Sequence, residues 1–386
     1  MGAQISLSKS GSAAPVGQVT PAEAHRRLLD GALLIDVRED NERAGGMPDG
    51  AIGIARGLLA QQIAELAIRR EREVLTICAS GQRSLLAAET LRQLGYARVA
   101  SVSGGFRRWQ AEGLPIAGAV LDADAAERYS RHLLLAEVGV AGQLRLGEAR
   151  VAMIGAGGLG SPAALYLAAA GIGTLTLIDD DKVDKSNLQR QVLHTDARIG
   201  MAKTESARQT LLGLNPRVHV LVHEQRLRAG NVEELLRGHD VVIDGADNFP
   251  TRYLLSAACL RLQLPLVYGA VHRFTGQVSV FDSRRAESPC YRCLFPEPPA
   301  AADAPNCAEA GVLGVLPGII GLLQANEAIK LILGLGTTLV GRLLCFDALA
   351  AAFRELRLPR DPQCPGCSDG ARFSGYADIE QICAAH

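Results

Sequence analysis

Two patterns of apolar and polar positions follow one another along the chain. Between residues 17 and about 116, ALLIDVR (32–38), EVLTICA (73–79) and ARVASVSGG (97–105) are short Val/Ile/Leu-rich runs that predict buried strands. TPAEAHRRLLDG (20–31) predicts a capped helix, and SLLAAETLRQLG (84–95) a helix closed by glycine. Together they predict a compact α/β domain of about 100 residues. LPIAGAVLDADAAE (114–127), with Pro, Gly, small and acidic residues, reads as connecting chain. From RYSRHLLL (128–135) a longer pattern begins. ARVAMIG (149–155), TLTLID (174–179), VHVLVH (218–223), DVVIDG (240–245) and LPLVYGA (264–270) are near-continuous apolar runs separated by helical periodicity, which predicts a parallel sheet covered on both faces. QVSVFD (277–282) and RLLCFDAL (342–349) read as further, antiparallel strands. The expected organisation is a loose Ser/Ala/Gly-rich start (1–16), a first domain (17–116), a connector (117–127) and a second domain (128–386), with no internal repeat.

The 386 residues suffice for two domains. Forty basic against 41 acidic residues give a net charge of −1, so the composition carries no nucleic-acid footprint. The most apolar block, AGVLGVLPGIIGLL (310–323), falls short of the ~20 residues of a membrane span and contains Pro317, so a buried core helix is expected. The first residues lack the apolar segment of an export signal. Gly2 with Ser6, and the terminal CAAH, match short lipidation patterns with no second membrane signal beside either. Nine cysteines without an export signal point to a reducing compartment, hence the cytoplasm, where thiols bind metal, react or pack.

VAMIGAGGLG (151–160) reads as strand, glycine turn and helix start, a cradle for phosphates built from backbone N–H groups. Gly155, Gly157, Gly158 and Gly160 form it, and Asp179, closing the next strand, can accept from ribose hydroxyls. This much fits NAD and ATP equally. ATP carries more charge, and pyrophosphate departure needs cations; Arg190 and Lys203 suit that task. Asp247, in DGADNF at the end of a parallel strand, suits Mg²⁺, with Asn248 beside it. The rival is an NAD-dependent oxidoreductase with an accessory domain.

CYRC (290–293) and CPGC (364–367) pair Cys290 and Cys293 with Cys364 and Cys367, the composition of a closed, structural Zn²⁺ site. Cys307 lies in a Pro/Ala-rich stretch suited to a mobile loop. Cys78 opens CASGQRS (78–84) between a strand and a helix. There backbone N–H groups, the helix N-terminus and Arg83 are expected to stabilise a thiolate or persulfide anion. Cys259 and Cys345 read as core, Cys383 as tail.

These motifs resemble two known families fused. Residues 32–116 are similar to a single rhodanese domain, through DVRE (36–39), CASGQRS and SGGFRRWQAEGLPI (103–116); the usual Gly-His-Ile-Pro-Gly-Ala is here GGMPDGA (45–51), without the histidine. Residues 128–386 resemble the MoeB/ThiF group, bacterial relatives of ubiquitin-activating enzymes, through RYSRH, GAGGLG, SNLQRQ, Lys203, DN (247–248) and the four paired cysteines. The resemblance implies a Rossmann-like adenylating domain. It implies a homodimer in which Arg131 reaches the neighbouring subunit's ATP site, with Ser186, Asn187, Leu188 and Gln189 joining Arg190 at the nucleotide. It also implies adenylation of the C-terminal glycine of a ubiquitin-like sulfur carrier ending in Gly-Gly, then sulfur transfer from a persulfide or thiosulfate donor through Cys78. Cys307 matches the position of a covalent intermediate in eukaryotic relatives.

Overall fold

The computed structural model describes residues 16–376 apart from 44, 67, 119–120 and 299–310. Their contacts divide the chain into two compact units, Met1–Leu144 and Arg145–His386.

The first unit is built on a five-stranded parallel sheet. Its strands are β1 (Gly17–Val19), β2 (Leu33–Asp36), β4 (Ile52–Gly53), β5 (Val74–Ile77) and β6 (Val99–Val102), in the order β1-β6-β5-β2-β4. A separate antiparallel pair joins β3 (Met47–Pro48) to β7 (Ile116–Ala117). β2 and β5 are buried throughout, because helices cover both faces of the sheet. The helix Pro21–Leu29 is capped as expected: the Thr20 hydroxyl accepts the Glu23 N–H at 3.2 Å, and proline occupies its first position. Trp109, fully buried, donates its indole N–H to the Pro115 carbonyl at 2.9 Å. Each large side chain such as Leu34, Ile35 or Leu75 taken wholly out of water contributes about 1.5–3 kcal/mol. The third expected strand ends earlier than 105, at Val102, because Gly104 and Gly105 take positive φ and start the helix Gly105–Ala111. Within the expected connector, β7 and the helix Ala123–Arg128 form; the Asp122 carboxylate caps that helix by accepting the Ala125 N–H at 2.8 Å.

The second unit holds an eight-stranded sheet. Its strands are β8 (Arg150–Ile154), β9 (Thr174–Ile178), β10 (His219–His223), β11 (Val241–Asp244), β12 (Leu266–His272), β13 (Thr275–Phe281), β14 (Arg342–Asp347) and β15 (Ala352–Arg357). The order is β10-β9-β8-β11-β12-β13-β14-β15, parallel from β10 to β12 and antiparallel beyond. β15, exposed along its length, has no counterpart in the sequence reading. Strand order reverses between β8 and β11, and parallel sheets bind ligands at the carboxyl ends flanking such a reversal.

The apolar block near 310–323 forms part of a 19-residue helix, Val315–Leu333. Pro317 does not interrupt it: it lies in the first turn, where its missing N–H costs no helix bond. By length and composition this helix is sufficient to cross a membrane. In the fold it lies against β12, β13 and the helix Gly160–Ala170. Its buried Gln324 donates to the Asp244 and Val267 carbonyls at 2.7 and 3.1 Å.

Candidate active site: a glycine-turn cavity, a four-cysteine cluster and a thiol loop

β8 delivers the chain into the glycine turn. Gly155 has φ +91°, and a Cβ there would lie 2.8 Å from the Gly245 carbonyl, so only glycine lets the turns after β8 and β11 touch. A Cβ on Gly160 would collide with the Gly155 carbonyl. The turn opens the helix Gly160–Ala170, whose N-terminal amides favour an anion. Beside it lies a cavity of about 670 Å³. Gly155, Gly157, Gly158 and Asp179 line it, as do Arg190, Lys203, Asp247 and Asn248. Gly160 shapes the turn from behind. Ser186, Asn187, Leu188 and Gln189 flank rather than line the cavity: Asn187 Oδ1 accepts from Arg190 at 2.7 Å, Gln189 Oε1 accepts from it at 3.2 Å, and the Ser186 hydroxyl donates to Asp184 at 2.5 Å. They orient Arg190. Arg131 is exposed on the short helix Ser130–Leu133 of the first unit.

Burial pushes the Asp179 carboxyl up, against the Lys203 charge and the Ala156 and Asp181 amides, which donate to it at 2.8 Å each. Lys203 is nearly buried, and its ammonium meets Asp181 at 2.7 Å. Asn248 lines the cavity and also caps a helix. Its Oδ1 caps the helix Phe249–Leu262, accepting the Thr251 N–H at 3.0 Å, while its Nδ2 donates to Asp247 at 3.3 Å. Its oxygen is thus committed to the cap, and its amide steadies the acidic neighbour.

The sequence reading missed a buried ion pair. Asp244, the last residue of β11, is 1% exposed, and burial pushes its carboxyl up to about 6 against the pull of Arg252. Arg252 Nε lies 3.5 Å away. The same guanidinium donates to the Ala246 and Gly269 carbonyls at 2.8 and 3.1 Å and lies over the Tyr268 ring. It thereby ties the turn before Asp247 to β12. In sequence Arg252 is one cation in a helical pattern, and nothing local marks it as buried.

Cys290, Cys293, Cys364 and Cys367 converge, their sulfurs all within 4.8 Å of one another. Cys290–Cys364 and Cys293–Cys367 sulfurs are 3.5 and 3.4 Å apart. Tetrahedral Zn–S bonds of about 2.3 Å put sulfurs roughly 3.8 Å apart, so the set fits that ion. Backbone N–H groups of Asp361 and Gly366 donate to Cys293 and Cys364 at 3.4 Å each, which steadies negative charge on the sulfurs. In a second group, Asp179–Asp181, the Asp179 carboxylate accepts from two amides and the Asp181 carboxylate from Lys203.

In the first unit, Cys78 sits at the base of the 78–84 loop, and its sulfur accepts the Gly81 N–H at 3.2 Å. Burial raises the thiol's pKa, but the Ser84 hydroxyl and the Ser84, Ser80 and Gly81 amides outweigh it, and the net shift is downward. Gly105 is required here, since a Cβ would collide with the Cys78 carbonyl, which accepts the Phe106 N–H at 2.7 Å. The expected contribution of Arg83 is reduced: it forms a two-pronged pair with Glu42, both contacts 2.7 Å. The thiolate therefore rests chiefly on hydroxyl and amide donors. Cys307, Cys383, Gly2 and Ser6 lie outside the described residues.

Comparison with known proteins agrees with this architecture. The ThiF family model matches residues 129–366, and the rhodanese-like domain model residues 20–112. The SAMP-activating enzyme E1 of Haloferax volcanii is 50% identical over 262 residues, 68% of this chain and 94% of that one. The sulfur carrier protein adenylyltransferase of Thermus thermophilus is 48% identical over 260 residues, covering 67% and 96%. The adenylyltransferase and sulfurtransferase MOCS3 of Drosophila yakuba is 48% identical over 264 residues; the match spans 68% of this chain and 58% of that relative. Among solved structures, E. coli MccB with ATP shares the fold at a TM-score of 0.53 and 22% identity, over 62% of this chain and 74% of the other. A glycine-turn cavity, a four-cysteine cluster and a thiol loop thus coincide with two family models in one polypeptide: the chain belongs to the ThiF family and carries a rhodanese-like domain ahead of its ThiF region.

Proposed function

We propose that this enzyme adenylates the C-terminal glycine of a ubiquitin-like sulfur carrier ending in Gly-Gly and then converts it to a thiocarboxylate. One observation carries the reading. One cavity brings the glycine turn together with Arg190 and Lys203 and with the carboxylates of Asp179–Asp181 and Asp247. A helix N-terminus alone suffices for a dinucleotide's pyrophosphate, whereas two cations and a carboxylate able to hold a divalent ion suit a triphosphate. The names of the Haloferax, Thermus and Drosophila relatives support the same chemistry.

The carrier's carboxylate oxygen attacks the α-phosphorus of ATP, the bond to pyrophosphate breaks, and an acyl adenylate remains. Arg190 and Lys203 stabilise the charge that develops on the departing group, with Arg131 contributed by the neighbouring subunit of a homodimer. Asp247, steadied by Asn248, would hold Mg²⁺, which neutralises phosphate charge when bound. Asp179 orients the ribose. A persulfide on Cys78, charged by a persulfide or thiosulfate donor, attacks the acyl carbon directly or after transfer through Cys307. AMP leaves, and a thiol cleaves the resulting acyl disulfide to free the thiocarboxylate. Activation comes first because a free carboxylate resists nucleophiles. Cys290, Cys293, Cys364 and Cys367 hold Zn²⁺ as a structural clasp. The free thiols this route needs suit the cytoplasm.

The test is carrier-dependent exchange of labelled pyrophosphate into ATP, followed by mass spectrometry of the carrier for the 16 Da gain that follows from replacing oxygen with sulfur, a mass difference of about 16. Tight nicotinamide dinucleotide binding with no exchange, for any Gly-Gly-ending carrier tried, overturns the reading.

A further inference from the structure

The first unit departs from the usual rhodanese pattern at GGMPDGA (45–51), where Gly46 stands in place of the histidine. The departure has a physical reason. Gly46 has φ +106°, which glycine takes at no steric cost. Its carbonyl accepts from Arg38 at 2.7 Å; the same buried guanidinium pairs with Asp36 and donates to the Glu42 carbonyl at 3.3 Å. Gly45 is buried, and a Cβ on it would collide with Val140, at the start of the helix that opens at Gly139. The altered loop is thus shaped to receive a residue from beyond the rhodanese-like match, which ends at 112. Family and structural boundaries differ accordingly: the ThiF match begins at 129, but the first compact unit runs to Leu144. Residues 129–144 fold with the rhodanese-like domain.

Those residues carry Arg131. His132 Nδ1 and Gln143 Oε1 lie 2.9 Å apart, clasping the helix Ser130–Leu133 to the one after it, and the Leu135 carbonyl between them accepts the Val138 and Gly139 N–H groups at 3.1 and 2.9 Å. Arg131 stays exposed, with Leu134 and Leu135 exposed beside it in the chain, as on a surface that meets another protein. At the other end of the altered loop, Glu42 holds Arg83 of the Cys78 loop. Arg83 with Glu42, Arg38 with Gly46, and Gly45 with Val140 therefore join Cys78 and Arg131 through one run of packed groups. The glycine-turn cavity, among the described residues, is lined by the second unit alone. An Arg131 that serves the neighbouring subunit's nucleotide takes Cys78 with it. We propose that the sulfur relay runs between subunits: the Cys78 persulfide of one chain sulfurates the acyl adenylate formed in its partner's cavity. The terminal sulfur forms the bond to the acyl carbon, the bond from that carbon to the phosphate oxygen breaks, and AMP leaves with the electron pair. An added dithiol then reduces the acyl disulfide, releasing the thiocarboxylate and the Cys78 thiol. This rests on the adenylating homodimer read above and names which chain's thiol serves which nucleotide.

Mixed dimers, each purified through two different tags on its two chains, test this with a Gly-Gly-ending carrier, ATP, magnesium and a persulfide donor. In the first, one chain carries Cys78→Ala and the other Lys203→Ala. Its intact cavity and its intact thiol lie on different chains, so thiocarboxylate should form at about half the wild-type rate, one of two symmetric sites being complete. The rate per dimer should not change on dilution, and the two parental homodimers, mixed without exchanging chains, should form none. In the second dimer one chain is wild type and the other carries both substitutions; no thiocarboxylate should form in the first turnover, before chains re-sort. In the third, Arg131→Ala and Lys203→Ala lie on separate chains, and pyrophosphate exchange should again be about half that of the wild type. Product from the second dimer, or none from the first, overturns the proposal. If the third dimer exchanges while the first makes no thiocarboxylate, Arg131 crosses between subunits and Cys78 does not, so the proposal falls and the homodimer reading stands. No exchange in the third dimer removes the crossing of Arg131 and the proposal with it. No exchange in the wild-type protein counts against adenylation itself.

Discussion

Replacing Arg252 by methionine isolates the buried pair beneath the nucleotide turn. Two effects follow from its contacts. The guanidinium's bonds to the Ala246 and Gly269 carbonyls disappear, a loss of about 2 kcal/mol that does not depend on pH. The Asp244 carboxyl, 3.5 Å from Nε, also loses this adjacent cation. Its pKa already stands at about 6 rather than 3.8. A carboxyl whose pKa is raised by folding stabilises the native state relatively more at low pH, and that advantage is lost as pH climbs through the folded value. In the wild type this costs about 2.4 kcal/mol between pH 4 and neutrality. A nearby opposite charge lowers a carboxyl pKa by about one to three, so its removal adds roughly 1.3–2.7 kcal/mol of destabilisation at pH 8, the upper bound being reached when the carboxyl protonates instead. At pH 5 most of this vanishes, because Asp244 is largely protonated with or without the arginine. The second unit of R252M should thus be destabilised by about 2 kcal/mol at pH 5 and by roughly 3–5 kcal/mol at pH 8. Urea unfolding followed by far-ultraviolet circular dichroism at the two pH values measures this. Fluorescence of Trp109, the chain's single tryptophan, reports the first unit and should keep its midpoint. The double variant D244N/R252M should lose the pH dependence. Equal destabilisation at both pH values would refute the electrostatic argument.

Lys203→Ala should reduce pyrophosphate exchange about a hundredfold or more, since a buried cation facing the developing charge is removed; unchanged kcat would exclude it from that role. Cys364→Ser should abolish stoichiometric zinc in atomic absorption and lower the thermal stability of the second unit, and retained zinc would count against the four-sulfur site. Cys78→Ala should leave exchange intact and stop thiocarboxylate formation, so continued formation from a persulfide donor would remove Cys78 from the relay. Glu42→Gln frees Arg83, and the pH at which Cys78 alkylates half-maximally, followed on its peptide by mass spectrometry, should move further down; no movement would mean that the amides alone set thiolate stability.

The parts of the site legible in the sequence are those whose chemistry is local. The glycine turn needs particular residues within six positions, the cysteine pairs announce themselves by spacing, and Cys78 lies within its own donor loop. Residues that matter because of a distant partner were not legible. Arg83 looks like free positive charge until Glu42, 41 positions earlier, is folded against it. Arg252 looks like an exposed helix cation until β11 and β12 enclose it. The capping bond of Asn248 is invisible until the helix Phe249–Leu262 is seen. Pro317 reads as a break because position within a helix, not composition, decides what a proline does. The helix within the expected connector was overlooked because small and acidic residues resemble loop, although Asp122 is a good cap.

The four-cysteine cluster has a consequence for how the chain is made. Its sulfurs come from segments 74 residues apart. On the ribosome Cys290 and Cys293 therefore emerge as a bare dithiol, several seconds before their partners exist at ordinary rates of about 5–20 residues per second. During that interval the half-site binds metal weakly and is open to oxidation, whereas the helix Val315–Leu333 meets β12, β13 and its partner helix already synthesised. Redox stress during translation would accordingly strike the four-cysteine cluster before it touched the apolar core, and the molecules it damaged would be newborn ones.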